Sequence, residues 1–150
     1  MLNKSIRAFA AACCLLAASA ANAAVSISDA YAEPSRGDVG VAFFTALSTE
    51  NDSILSITSE CCKAVELHTS DMTNGIMRMR KLDALELKAG TPAPVQRAQG
   101  VMHTMLIGLT APLKKGDAVK LTFRFKHAPQ QTVTLPVRDA AKDAHAHHAH

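Results

Sequence analysis

The sequence predicts an all-β domain, a sandwich or barrel of short antiparallel strands. Three observations carry this. Near the C-terminus Val119, Leu121, Phe123 and Phe125 alternate with Lys120, Thr122, Arg124 and Lys126, and Val133, Leu135 and Val137 alternate with polar residues. Such period-two patterns belong to half-buried strands with one wet face. Turn chemistry also recurs at short intervals, as in Pro34 to Asp38, Glu50 to Ser53, Asn74-Gly75 and Lys114 to Asp117. Strands spaced this way build sandwiches or barrels. Finally, no stretch beyond the N-terminal segment holds a helical period of useful length.

In chain order, Ser26 to Ala32 is a short first strand, and Val39 to Leu47 an apolar second one, with Phe43 and Phe44 on opposite faces. Ile54 to Thr58 and Lys63 to Thr69 follow. In the latter, Val65 and Leu67 take one side while Glu66 and His68 take the other, so His68 faces away from the core at a rim. Both central residues of a type I′ turn need φ > 0, so Asn74-Gly75 signals a hairpin that folds Met79 back toward the strand of His68. Leu85 and Leu87 mark a short strand, TPAPVQRAQG reads as loop, and Met102 to Leu109 is the next strand. Pro136 lacks a ladder donor and belongs at an edge.

The termini differ from this body. Lys4 and Arg7, an apolar run from Ala8 to Ala20, and Ala21-Asn22-Ala23 form the n-region, h-region and cleavage site of a secretory signal. Residues 1–23 are therefore expected to be removed, leaving a domain at 24–139 and a disordered His-rich tail at 140–150. The h-region is too short to span a bilayer. Cys13 and Cys14 lie inside it without a lipoprotein box before them. Removing Lys4 and Arg7 from the 16 basic residues leaves them nearly balanced by 13 acidic ones. That balance gives no nucleic-acid footprint, which needs a clustered excess of Lys and Arg. With no further long apolar run, the mature chain is expected to be periplasmic and not embedded in a membrane.

The chemistry gathers between Glu66 and Met105. His103 and Met105 stand at i and i+2, so on a strand both point to one face and form a chelating pair. The same parity sets Met77 and Met79 against Arg78 and Arg80. Uncharged, polarizable thioethers suit Cu(I) and are poor donors for Mg(II) or Ca(II). Met along a strand is commonly core filler, and a single His commonly structural; the combination is more specific. His68, ten residues, Met79 and a later His-x-Met, set in VELH, NGIMRMR and HTMLIGLTAPLKKGD, resemble the PCu(A)C family of periplasmic copper chaperones. The resemblance runs from about Val25 to Val137, and its longer gap before His103 holds TPAP. It implies a cupredoxin-like Greek-key barrel. It also implies a Cu(I) site at His68, Met79, His103 and Met105, and delivery to a copper-acceptor protein such as an oxidase subunit or a Sco-type protein.

The tail places His145, His147, His148 and His150 in an Ala-spaced run, a candidate second site for Cu(II). Cys61 and Cys62 are neighbours, with Cα atoms about 3.8 Å apart, short of the usual disulfide span. A strained vicinal disulfide, two reduced thiols, an intermolecular bond and added copper ligands all stay open. No constellation of nucleophile, base and oxyanion donors appears, so the chain does not read as an enzyme. The rival functions are an electron-transfer cupredoxin and a periplasmic β-sandwich interaction module without metal.

Overall fold

The computed structural model describes residues 22–97 and 101–140. Ten strands order the chain: β1 (Val25–Ala32), β2 (Val39–Ser48), β3 (Asp52–Thr58), β4 (Cys62–Thr73), β5 (Ile76–Lys81), β6 (Leu85–Leu87), β7 (Ala93–Val95), β8 (Met102–Leu109), β9 (Ala118–Phe125) and β10 (Gln131–Pro136). All ten elements formed by the described residues are strands. The strands form one antiparallel sheet in the order β1-β2-β8-β4-β3-β9-β10, with β5, β6 and β7 pairing on β4, β3 and β2. A parallel bridge from Ala32 to Val137 links β1 to the chain just past β10, so the sheet nearly closes into a barrel. Because β8 returns between β2 and β4, and β9 joins β3, the connections cross in the Greek-key manner that the family resemblance implies.

The barrel is filled by the alternating apolar residues. Phe44 and Phe123 meet edge to face at 5.1 Å between ring centroids, and Ile54, Leu106, Leu121 and Leu135 are fully buried around them. Aromatic pairs in this arrangement gain from ring quadrupoles as well as from burial. Phe43 does point away from Phe44, yet it too is buried, its ring 5.2 Å from that of Tyr31 of β1 and tilted by 36°. Arg138 lies 4.3 Å over the Tyr31 ring. Arg97 forms a two-pronged ion pair with Glu33 at 2.9 and 2.6 Å and ties the segment after β7 over this side of the barrel.

The structure corrects the sequence reading at three places. Asp52 opens β3 and is buried, rather than sitting in a turn. Its carboxylate accepts the backbone N–H groups of Ser53, His127 and Ala128 at 2.7, 2.9 and 2.9 Å, tying β3 to the chain after β9. Within the expected loop TPAPVQRAQG, residues Ala93–Val95 form β7 on β2; Val95 is buried, and burying it repays the ordering of Pro-containing backbone. The strand of His68 continues to Thr73, because the Asn74-Gly75 turn lets β5 pair along it. Asn74 and Gly75 have φ of 53° and 76°, as a type I′ turn requires.

Candidate metal centre

The strands β5, β4 and β8 lie side by side and present one outer face. Register places His68 directly opposite His103, and Glu66 opposite Met105. On the other flank Met79 is opposite Ser70 and Lys81 is opposite His68. Side chains directly opposite have Cβ atoms about 4.5–5.5 Å apart and diagonal ones about 7–8 Å. His68, His103, Met105 and Met79 therefore occupy adjoining positions of one face. The inward face of β8 carries Thr104 and Leu106, both fully buried, which fixes His103 and Met105 outward. The sheet places all four residues singled out in the sequence on this face, with Met79 of β5 and Met105 of β8 flanking His68 from opposite sides. They sit on the sheet's flank where β5 ends, not at a strand-end rim, since β4 runs past His68.

The two imidazoles are held differently. His68 Nε2 lies 2.9 Å from Glu66 Oε2, and Lys81 Nζ donates to Glu66 Oε1 at 3.0 Å. Hydrogen bonds from Lys81 and then His68 hold the Glu66 carboxyl below its ordinary range, so it stays an acceptor at neutral pH. A proton on Nε2 satisfies that carboxylate and leaves Nδ1 of His68 with its lone pair. On the partner strand, His103 Nδ1 is buried without a hydrogen-bond partner among the described residues. A buried polar atom left unpaired costs about 1–3 kcal/mol. The sequence singled out both histidines but not the Lys81–Glu66–His68 chain, although the i, i+2 spacing in ELH already puts Glu66 beside His68.

Burial grades across the face. His68 and Glu66 have side-chain exposures of 19% and 22%, whereas Met79 is 51% exposed. The face is thus half-sheltered at the histidines and open at the thioether of β5. No group of three or more His, Cys, Asp or Glu close enough to hold a metal occurs among the described residues.

Cys61 and Cys62 are free thiols with their sulfurs 3.5 Å apart. Cys61 Sγ also accepts from Ser59 Oγ at 3.2 Å. Burial, followed by the hydrogen bond and charge of Cys61, pushes the Cys62 thiol up to about 12. Cys62 stands at the far end of β4, about 20 Å along the strand from His68. The sequence reading left four states open for this pair; the structure has two reduced thiols. Because the thiolate is the reactive form, Cys62 is expected to alkylate far more slowly at pH 8 in the native protein than after unfolding, as intact-mass kinetics would read. Its raised value favours the folded state fully below the ordinary thiol value of 9.0, and that contribution is lost as pH climbs toward about 12.

This architecture defines a class, a cupredoxin-like barrel of the PCu(A)C type. The chain belongs to the LpqE-like family, described as "Putative lipoprotein LpqE-like", which matches residues 25–137. A relative from Leifsonia xyli subsp. xyli (strain CTCB07), described as "Putative lipoprotein Lxx21020", is 29% identical over 121 residues, covering 77% of this chain and 70% of its own. These lipoprotein descriptions are consistent with a place in the cell envelope. Among solved structures, the copper-bound PCuAC domain from PmoF2 superposes with a TM-score of 0.62 at 15% identity, covering 76% of this chain and 92% of that domain. The solution structure of apo-DR1885 from Deinococcus radiodurans gives 0.57 at 20% identity, covering 92% and 97%. At such identities the likeness establishes the fold alone. No described helix is long and apolar enough to cross a membrane. The expected signal at residues 1–23, apart from Asn22 and Ala23, and the tail histidines lie outside the described residues.

Proposed function

We propose that this protein is a periplasmic copper chaperone that holds Cu(I) between His68, Met79, His103 and Met105. The observation that carries this reading is the direct pairing of His68 with His103, with Met105 beside one and Met79 diagonal to the other on the same face. The donors fit the cargo. A Cu(I) ion accepts imidazole nitrogen and thioether sulfur. The unpartnered Nδ1 of His103 offers a lone pair with no competing hydrogen bond. His68, its Nε2 taken by Glu66, offers Nδ1 in turn, and a carboxylate behind a ligating imidazole fixes its tautomer and orientation.

All four donors are neutral, so they hold Cu(I) without the charge attraction of thiolates. An acceptor rich in thiolate can then take the ion by ligand exchange, entering where Met79 is exposed. Such an acceptor would be an oxidase subunit or a Sco-type protein, and the cell envelope is where both chaperone and acceptor would meet. This role is delivery, not catalysis. The copper-bound PCuAC domain from PmoF2 supports the reading by its fold. Met79→Ala with Met105→Ala should weaken Cu(I) binding more than Cu(II) binding, since sulfur carries the preference for the reduced ion. Anaerobic competition against a Cu(I) chelator measures this; an unchanged Cu(I) affinity would overturn the assignment.

An electron-transfer cupredoxin is disfavoured by the position of the thiols. A blue-copper centre needs two His and a Cys thiolate, and Cys61 and Cys62 lie far along β4 from His68, with Cys62 held as thiol. A sandwich with no metal role leaves the unpartnered His103 Nδ1 unexplained.

The tail supplies a second prediction for Cu(II). Neutral imidazole is the ligand form and an unperturbed His titrates near about 6.5, so binding by His145, His147, His148 and His150 should fade as pH falls below that value. Deleting residues 140–150 is expected to remove one Cu(II) equivalent while leaving Cu(I) binding intact, as isothermal titration would read.

A further inference from the structure

Beyond His68 and Lys81, the β4–β5 hairpin carries its outer face on toward the turn. Met72 is directly opposite Met77, and Ser70 is opposite Met79. Period-two alternation puts Met72, Met77 and Met79 on one face, the same one that bears His68. Thr73, Asp71, Ile76, Arg78 and Arg80 take the opposite face, where Arg80 pairs with Asp71 at 3.3 Å. The methionines are not core filler. Met72, Met77 and Met79 are 66%, 67% and 51% exposed. This trio of unbranched apolar residues leaves more than half of each side chain in solvent, and no carboxylate stands among them on that face.

We infer that Met72, Met77 and Met79 form a second, thioether-only Cu(I) site at the hairpin tip, through which the ion enters or leaves the His68–His103 face. Opposed and diagonal strand positions keep Cβ atoms within about 8 Å, and the three rotatable bonds of each Met allow the sulfurs to converge on one ion. A ligand set of neutral soft sulfur, with the charges turned to the other face, selects Cu(I) over hard divalent ions. Met79 belongs to both sets, so the ion passes by exchanging Met72 and Met77 for imidazoles while Met79 stays bound. The copper remains Cu(I) throughout and no proton needs to move. Only this hand-over rests on the reading of the histidine site; the tip site stands on its own three residues.

The two can be tested apart. In His68→Ala/His103→Ala protein titrated anaerobically with Cu(I), the side-chain methyl signals of Met72 and Met77 should shift together, saturating at one equivalent with weaker affinity than the intact protein. Adding Met72→Leu/Met77→Leu to that variant should abolish the residual binding, and leucine keeps the exposed surface apolar. Should the double histidine variant fail to fold, the same methyl signals in the His103→Ala single variant should move as the first equivalent of Cu(I) is added. In the chain with intact histidines, Met72→Leu/Met77→Leu should slow Cu(I) loading at least fivefold at unchanged equilibrium affinity. Methyl signals of Met72 and Met77 that stay fixed up to several equivalents would overturn the tip site, whatever the fate of the histidine site. Loading as fast without Met72 and Met77 as with them would overturn the hand-over.

Discussion

His68→Ala/His103→Ala protein is expected to lose Cu(I) affinity by more than about 100-fold, beyond what loss of an outer-shell partner produces. Both imidazoles occupy one cross-strand pair, so removing them takes away half the donors and the sheltered half of the face. Thermal unfolding of the apo variant should change little by comparison. His103 carries an unpaired buried nitrogen, and its removal relieves that cost while opening a small void. Glu66 would retain Lys81. Anaerobic chelator competition and a melting curve of the same sample separate the two effects. A variant that kept its affinity would show that the methionines alone bind the ion.

The largest expected effect on stability belongs to Asp52. Replacing it with Ala leaves two buried backbone N–H groups and one part-buried one without their acceptor, at a cost of about 3 kcal/mol. Burial opposes ionisation of this carboxyl, but the hydrogen bonds from Ala128, Ser53 and His127 outweigh it and lower its value. Its contribution is therefore complete above the ordinary value of 3.8 and is lost as pH falls through the lower folded value. Denaturant unfolding at neutral pH should show the full difference between native and Asp52→Ala protein. The difference should shrink once the pH is taken below the ordinary carboxylate range. A difference that did not depend on pH would assign the effect to packing alone.

Much of this was legible in the chain. Alternation in β9 and β10 and the Asn74-Gly75 turn specified strands whose faces the structure reproduces, because side-chain period and turn handedness are local properties. The order of strands is not local. That β8 would lie between β2 and β4, bringing His103 opposite His68, follows from how the whole barrel closes; from sequence it came through family resemblance. Asp52 shows the opposite failure. Glu50-Asn51-Asp52-Ser53 has the composition of a turn, yet Asp52 is drawn inside by amides 75 and 76 residues later in the chain. β7 escaped for a related reason, since three residues with Pro94 at their centre and Pro92 before them carry no period. The open state of Cys61 and Cys62 needed the arrangement of β4 and Ser59 to resolve. Glu66 stands in the ELH motif, but its bond to Lys81 depends on β5 folding back to place that ammonium beside it.

The central claim is that neutral nitrogen and sulfur from three neighbouring strands hold one Cu(I). X-ray absorption at the copper edge, on full-length protein loaded anaerobically with one equivalent, reads the donors directly. Imidazole nitrogen and thioether sulfur together in the first shell are expected, with a spectrum unaltered by Cys61→Ser/Cys62→Ser. A shell of nitrogen and oxygen only, or one that changes when those cysteines are replaced, would contradict it.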